Sequence, residues 1–167
     1  ILPALVVLMP AVSSIENIQK CEDIVNIAIT NYPEYSKTVL VNYLLGIINQ
    51  KKQNFAEAKK YFEVVYNLES DIFENQIAYA NSLRENAEYS KAEEVLNLID
   101  ELNQNKIEVL KQKSYLAFEQ NQLDSAESYV AKVLQNNPGD LDFVLFRAKI
   151  LIEKKDYITN LLKTIKI

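Results

Sequence analysis

The stretch YLLGIINQKKQNFAEAKKYF, residues 43–62, decides the fold. It is apolar at helical spacing for two turns and breaks at the polar Lys51-Lys52-Gln53-Asn54. It then resumes with Phe55, Ala58 and Phe62 on one helical face. The same phase returns further along. Ala58, Ala92 and Ala126 stand 34 residues apart without drift. Three positions before each is a bulky side chain, Phe55, Tyr89 and Leu123, and Tyr157 continues that series. Twelve positions before each Ala is a small residue, Gly46, Ala80 and Ser114, with Ala148 next. A further register holds Leu45 and Tyr79, then breaks at Lys113 and Arg147. A fixed period of this length marks a repeat architecture.

Each unit holds two amphipathic runs of three to four turns joined by a short polar connection, which is an αα-hairpin. In the first unit the pattern predicts helix A over about Thr38–Lys51 and helix B over about Phe55–Asn67. The small residue on A and the Ala on B belong where two backbones approach closely, because a larger substituent would push the axes apart. Capping-box spacing is present at Asn54 with Glu57, Asp71 with Glu74, and Asn105 with Glu108. Asn137-Pro138-Gly139-Asp140 is a strong turn signal. One hairpin cannot bury its own apolar face, so the units must stack. Burial is expected to be highest at Leu45, Gly46, Tyr79, Ala80, Ala92, Ala126 and Ala148.

Composition agrees. Of 167 residues, 49% are apolar and 25% charged, which is the profile of a folded soluble chain. Two Gly and four Pro cannot supply the turns that a sheet protein needs every 8–12 residues or so, so the chain reads as all-α. There is no His, which removes imidazole acid/base chemistry, Ser-His and Cys-His nucleophile pairs and imidazole metal ligands. One Cys excludes an internal disulfide framework and every multi-cysteine zinc site. A net charge of −5 argues against nucleic acid and anionic lipid as main partners.

The pattern resembles the tetratricopeptide repeat (TPR) family. Leu45-Gly46, Phe55, Ala58 and Phe62 carry the likeness in the first unit, Tyr79-Ala80, Tyr89 and Ala92 in the second. Ser114, Leu123, Ala126 and Pro138 carry it in the third, and Ala148 and Tyr157 in the fourth. Asn42 departs from it by replacing an aromatic, and Val65, Ile99 and Val133 replace the second Ala of helix B. Asn160 replaces the first Ala in the last unit. The resemblance implies a right-handed α-solenoid of stacked antiparallel helix pairs. Its repeats would occupy 38–71, 72–106, 107–140 and 141–167, the last one truncated, with Tyr157–Ile167 as a final helix B.

Upstream, Ser13 with Glu16 has capping-box spacing and opens a helix from about Ser14 to Thr30, so 14–37 reads as part of a further repeat. Cys21 falls near the Ala position of that helix and reads as a small packing residue. Residues 1–13 are uncharged and apolar and end in Ala11-Val12-Ser13, the small-x-small ending of a signal peptide, although no basic leader precedes them. Two readings stand: a signal remnant that is not a stable part of the repeat fold, and a packed capping segment. At the other end, Ile158, Leu161, Leu162, Ile165 and Ile167 are followed by no polar cap. Either the native chain continues or this end docks, on a partner or on another copy.

The function classes follow. With Gly46 and Gly139 assigned to packing and a turn, no phosphate-binding Gly loop remains. Adjacent carboxylates such as Glu93-Glu94 and Asp100-Glu101 point in different directions on a helix. No catalytic residue, cofactor or metal site is expected, and the chain reads as a binder of protein. The A-helix positions at i, i+4 and i+7 beside the packing face would line a concave groove for a partner peptide or helix. They are Tyr43, Ile47 and Gln50; Ile77, Asn81 and Arg84; Lys111, Tyr115 and Phe118; and Leu145 with Lys149. The alternative makes Tyr115, Phe118 and Ile47 core between repeats. Such a groove, with cations at Arg84, Lys111 and Lys149, suits a peptide with bulky and some acidic side chains. The resemblance also brings in a subclass that clamps a terminal carboxylate with Lys, Asn and Arg. Tyr43, Ile47, Ala78, Glu108 and Gln112 stand in those places, so the clamp is absent. If the chain is exported, the resemblance is to bacterial periplasmic and envelope-assembly repeat proteins; otherwise it is cytoplasmic. A different class of reading makes the repeats a sensor or substrate-docking arm of a larger enzyme whose catalytic part lies beyond Ile167.

Overall fold

The computed structural model describes residue 5, residues 17–102 and residues 107–165, with side chains at 5, 17–99 and 107–155. Among the described residues there are eight α-helices, one 3-10 turn and no strand. They are α1 (Ile18–Asn31), the 3-10 turn Pro33–Lys37, α2 (Val39–Lys51), α3 (Phe55–Leu68) and α4 (Phe73–Glu85). After these come α5 (Tyr89–Leu102), α6 (Ile107–Glu119), α7 (Leu123–Asn136) and α8 (Leu141–Ile165). Contacts divide the chain into two compact units, Ile1–Glu88 and Tyr89–Ile167. Within each, helices adjacent in sequence pack on one another: α1 on α2, α2 on α3 and α3 on α4; then α5 on α6, α6 on α7 and α7 on α8.

The buried positions repeat with the sequence. On the B helices the triads Ala58/Phe62/Val65, Ala92/Leu96/Ile99 and Ala126/Val130/Val133 are none of them more than 1% exposed. Gly46 shows why its register must be small, since a Cβ there would lie 2.8 Å from the Phe62 ring. In the third unit the same two registers hold Ser114 and Val130, both fully buried. A larger residue on A is matched by a smaller one on B. Asn42, the departure from the aromatic, is buried and donates its amide to the Ser36 and Thr38 carbonyls, each at 2.8 Å. One period later Gln76 is buried and donates to the Ser70 carbonyl at 2.7 Å. This register therefore ties helix A to the loop before it.

The turns between A and B helices also share a device. Gln53, Ala87 and Asn121, again 34 residues apart, have φ of 61°, 58° and 59°. The following amide reaches back five residues in each: Asn54 to Asn49 at 2.8 Å, Glu88 to Leu83 at 2.9 Å and Gln122 to Ala117 at 2.8 Å. This is the Schellman ending, in which a left-handed residue lets late carbonyls of the helix find donors. It also corrects the expected capping box at Asn54. The Asn54 amide is already bound to Asn49, and the Asn54 side chain makes no cap, so Glu57 has no donor to accept and pairs with Lys60 instead. Asp71 does not cap either: α4 starts at Phe73, and Asn75 and Gln76 bind the preceding loop from inside the helix. Thr38 does cap, its hydroxyl accepting from the Val41 amide at 3.4 Å. The boxes at Ser13 and Asn105 lie outside the described residues.

The fourth unit departs from the period. The expected break before Tyr157 is absent, and α8 runs unbroken from Leu141 to Ile165. Lys155 stands at the register of the three left-handed residues, yet the helix runs on through it. The registers of Ala58 and Phe62 are taken by Asn160 and Thr164, so a returning helix would offer polar groups to the core. Lys154 instead ties α8 to α7 through Asp124 and Glu127, each at 2.7 Å. Ala148 is accordingly exposed rather than buried, because the described residues include no returning helix to cover it. Tyr79 is half-buried, not core. It stacks on Tyr66 at 4.8 Å and its hydroxyl donates to Glu63 at 3.3 Å. Leu5 is 1% exposed in the first core with Ile18, Cys21, Val25 and Ala28. Leu5 thus supplies part of the cover of the α1 apolar face; the rest of the 1–13 segment, on which the two readings bear, lies outside the described residues. Cys21 is a free buried thiol, as the packing reading requires.

Ala87 carries a Cβ at φ 58°, which costs about 1–2 kcal/mol relative to a residue without one. Ala87→Gly is expected to raise stability by about 0.5–1 kcal/mol, after Gly's larger unfolded-state entropy is subtracted, as read from the urea midpoint. Lys155→Gly, at the same register but inside a helix, is expected to lower it.

Candidate protein-interaction surfaces

The A-helix positions singled out from the sequence share one property. Tyr43, Ile47 and Gln50 on α2, Ile77, Asn81 and Arg84 on α4, and Lys111, Tyr115 and Phe118 on α6 are all half-buried. None is sealed in a core and none is fully solvated. Leu145 is different, 61% exposed on α8, and Lys149 is exposed beside it.

In the first unit α2 and α4 present a polar cluster organised by Glu85. Gln50 donates its amide to both Glu85 carboxylate oxygens, at 3.0 and 2.9 Å, and Asn81 donates to one of them at 3.3 Å. Arg84 donates to the Asn81 side-chain amide oxygen and lies 3.9 Å from Glu85. Its charge is therefore partly answered from within. Beside this cluster the surface turns apolar. Tyr43 meets the edge of the Phe62 ring at 5.7 Å, and Ile47 packs against the first core. Burial, with the nearby Glu74 charge, pushes the Tyr43 hydroxyl pKa up. Tyr79 is pushed up further, to about 12, by burial and by the charge and hydrogen bond of Glu63. Both phenols stay neutral donors through the physiological range. An open hollow of about 580 Å³ lies over the turns, lined by Gln53, Phe55, Glu85, Asn86 and Ala87 among others. Asn86 crosses it by donating to the Phe55 carbonyl at 2.8 Å.

In the compact unit Tyr89–Ile167 the seam between α6 and α8 is aromatic. Tyr115 lies 5.4 Å from Phe143 and 4.9 Å from Phe146, and Phe118 lies 5.3 Å from Phe146. Lys111 binds Asp140 at 2.7 Å and sits 4.8 Å over the Phe143 ring. That ion pair holds the Asp140 carboxyl below its usual range and raises Lys111. Lys149 sits 4.8 Å over Phe118. The structure thus gives Tyr115 and Phe118 partners of their own on α8, as the alternative reading of these residues requires. Ile47 likewise packs against a core. Phe143 and Phe146, which the sequence reading passed over, complete the seam; their spacing of three on an apolar helix face was the available signal. A cleft of about 200 Å³ between α5, α6 and α7 is lined by polar groups including Glu93, Asn97, Lys113 and Gln120.

Among the described residues no three His, Cys, Asp or Glu side chains are grouped to hold a metal ion. No described helix is long and apolar enough to cross a membrane.

No protein-family model matches the chain. Over 59 residues, 35% of the chain, it is 44% identical to a TPR repeat-containing protein of Methanocaldococcus jannaschii. The matched region is 18% of that protein, so the chain spans less than a fifth of its length. This likeness and the helix pairs in 34-residue phase are both consistent with TPR-like repeats.

Tyr115 separates a seam residue from an anchor for a partner. Tyr115→Ala is expected to lower thermal stability by about 1–3 kcal/mol, less than the full cost of a buried aromatic because the ring is half-exposed. An unmoved melt would show that its ring contacts carry no stability.

Proposed function

We propose that the chain is a non-catalytic protein-interaction scaffold whose A-helix faces hold an extended or helical segment of a partner protein. The observation that carries the reading is the half-burial, in all three units, of the same three A-helix registers. A surface of this kind offers Tyr, Ile, Phe and Arg in fixed positions while costing little to desolvate further, which is how binding hot spots are built. The likeness to a TPR repeat-containing protein supports it. The cations are less available than the sequence suggested, because Arg84 and Lys111 already have acidic or amide partners. Bulky apolar side chains of the partner therefore weigh more than acidic ones in this reading. The matched relative's greater length also supports a second reading, in which these repeats are the docking arm of a larger protein.

Ile77 is the most direct probe, since it is half-buried on α4. In affinity capture from the source cells, Ile77→Asp is expected to weaken retention of a wild-type-specific partner at least about tenfold. Its melt should stay within about 0.5 kcal/mol of wild type. Capture that is undiminished, with the melt intact, contradicts the placement of the surface.

A further inference from the structure

Along α8, Leu141, Val144, Leu145, Ala148, Leu151 and Ile152 form one continuous apolar stripe, and all six are exposed. The repeat register shows that such positions are built to be covered. Val144 corresponds to Asn42, Gln76 and Leu110, and Ala148 to Gly46, Ala80 and Ser114, every one of them buried. The chain's own returning helix is a poor cover, because Asn160 and Thr164 stand where the other B helices carry Ala and a large apolar residue. The stripe has a second property. It is symmetric about Ala148: Leu145 and Leu151 lie three residues to either side, Val144 and Ile152 four, Leu141 and Lys155 seven.

We propose that this stripe is the interface of a homodimer in which two copies of α8 pack antiparallel, with Ala148 on the two-fold axis. An isologous contact requires that residue i meet j and j meet i. Antiparallel packing about Ala148 meets this at every position, pairing Val144 with Ile152 and Leu145 with Leu151 of the second copy. The small residue falls where the two helices cross most closely. At each end Leu141 meets the aliphatic stem of the other copy's Lys155. The exposures of the five large residues, 43–68%, amount to roughly 400–500 Å² per copy, near the largest patch an ordinary monomer shows. Two copies together reach about 1,000 Å², the lower limit of a specific interface and the size of a weak, reversible contact.

Sedimentation equilibrium of the 167-residue chain from about 1 to 300 µM is expected to show a monomer–dimer equilibrium with micromolar Kd. The double variant Leu145→Asp, Ile152→Asp should be monomeric throughout, with an unchanged helical circular dichroism spectrum. Under mild oxidation Ala148→Cys should form a disulfide-linked dimer, and Leu141→Cys should not, because position 141 faces 155. Wild type is the control, since Cys21 is buried. A monomer at the highest concentration overturns the proposal. So does a dimer that survives the double substitution, or cross-linking of Leu141→Cys as fast as Ala148→Cys. A monomer in which the Ala148→Cys thiol resists labelling would mean that the chain itself covers the stripe, and would overturn it equally.

Discussion

How near α2 can come to α3 governs the first unit, and one contact sets it. The Phe62 ring lies where a Cβ on Gly46 would be at 2.8 Å, so the two helices meet through a missing side chain. From that approach follow the depth at which Ala58, Phe62 and Val65 are buried and the side of α2 left for other work. Tyr43, whose ring meets the edge of Phe62, is held half-exposed by the same contact. The sequence at the same registers reads Ala80 and Leu96 in the second unit and Ser114 and Val130 in the third, so volume passes from B to A as the array proceeds. A repeat protein is approximately a sum of such local fits, which is why a period in sequence becomes a period in burial.

The turn is the other half of the constraint. A helix pair closes only if the chain reverses within a few residues, and Gln53 and Asn121 achieve this in a left-handed conformation without glycine, a conformation Ala87 shares. Where the apolar registers of helix B fail, at Asn160 and Thr164, the helix simply continues. The end of the period therefore changes what the chain presents. Three units offer half-buried A-helix faces, and the fourth offers one long helix with an apolar outer side.

Much of this was legible in the residues. Helix A expected at about Thr38–Lys51 is Val39–Lys51, and helix B expected at about Phe55–Asn67 is Phe55–Leu68, because strong periodicity and the polar break at 51–54 leave little freedom. The left-handed turns were not legible. The preference for glycine there is only about 1–2 kcal/mol, small enough for packing to override, so nothing in Ala87 announces it. The capping boxes failed for a related reason: the Schellman bond at Asn54 consumes the amide that a box would use. Nor could spacing alone show that Tyr115 and Phe118 meet Phe143 and Phe146 on another helix, since a periodic pattern marks a face and not its occupant. That the described helix runs on past Lys155 could have been read from Asn160 and Thr164, had the register been followed past its first position.

The central claim is that steric fit between helices A and B, and not helix propensity, fixes the residue at the Gly46 register. A double-mutant cycle on Gly46 and Phe62, read by denaturant unfolding, tests it most directly. Gly46→Ala alone should destabilise by about 1–2 kcal/mol despite alanine's higher propensity, since the ring opposite is fully buried. In a Phe62→Leu background, which gives this pair the residue types that the sequence holds at the same registers one period on, the same change should be neutral or stabilising by up to about 1 kcal/mol. If Gly46→Ala stabilises the wild-type chain by the propensity difference, with no coupling to Phe62, the close approach does not govern the fold.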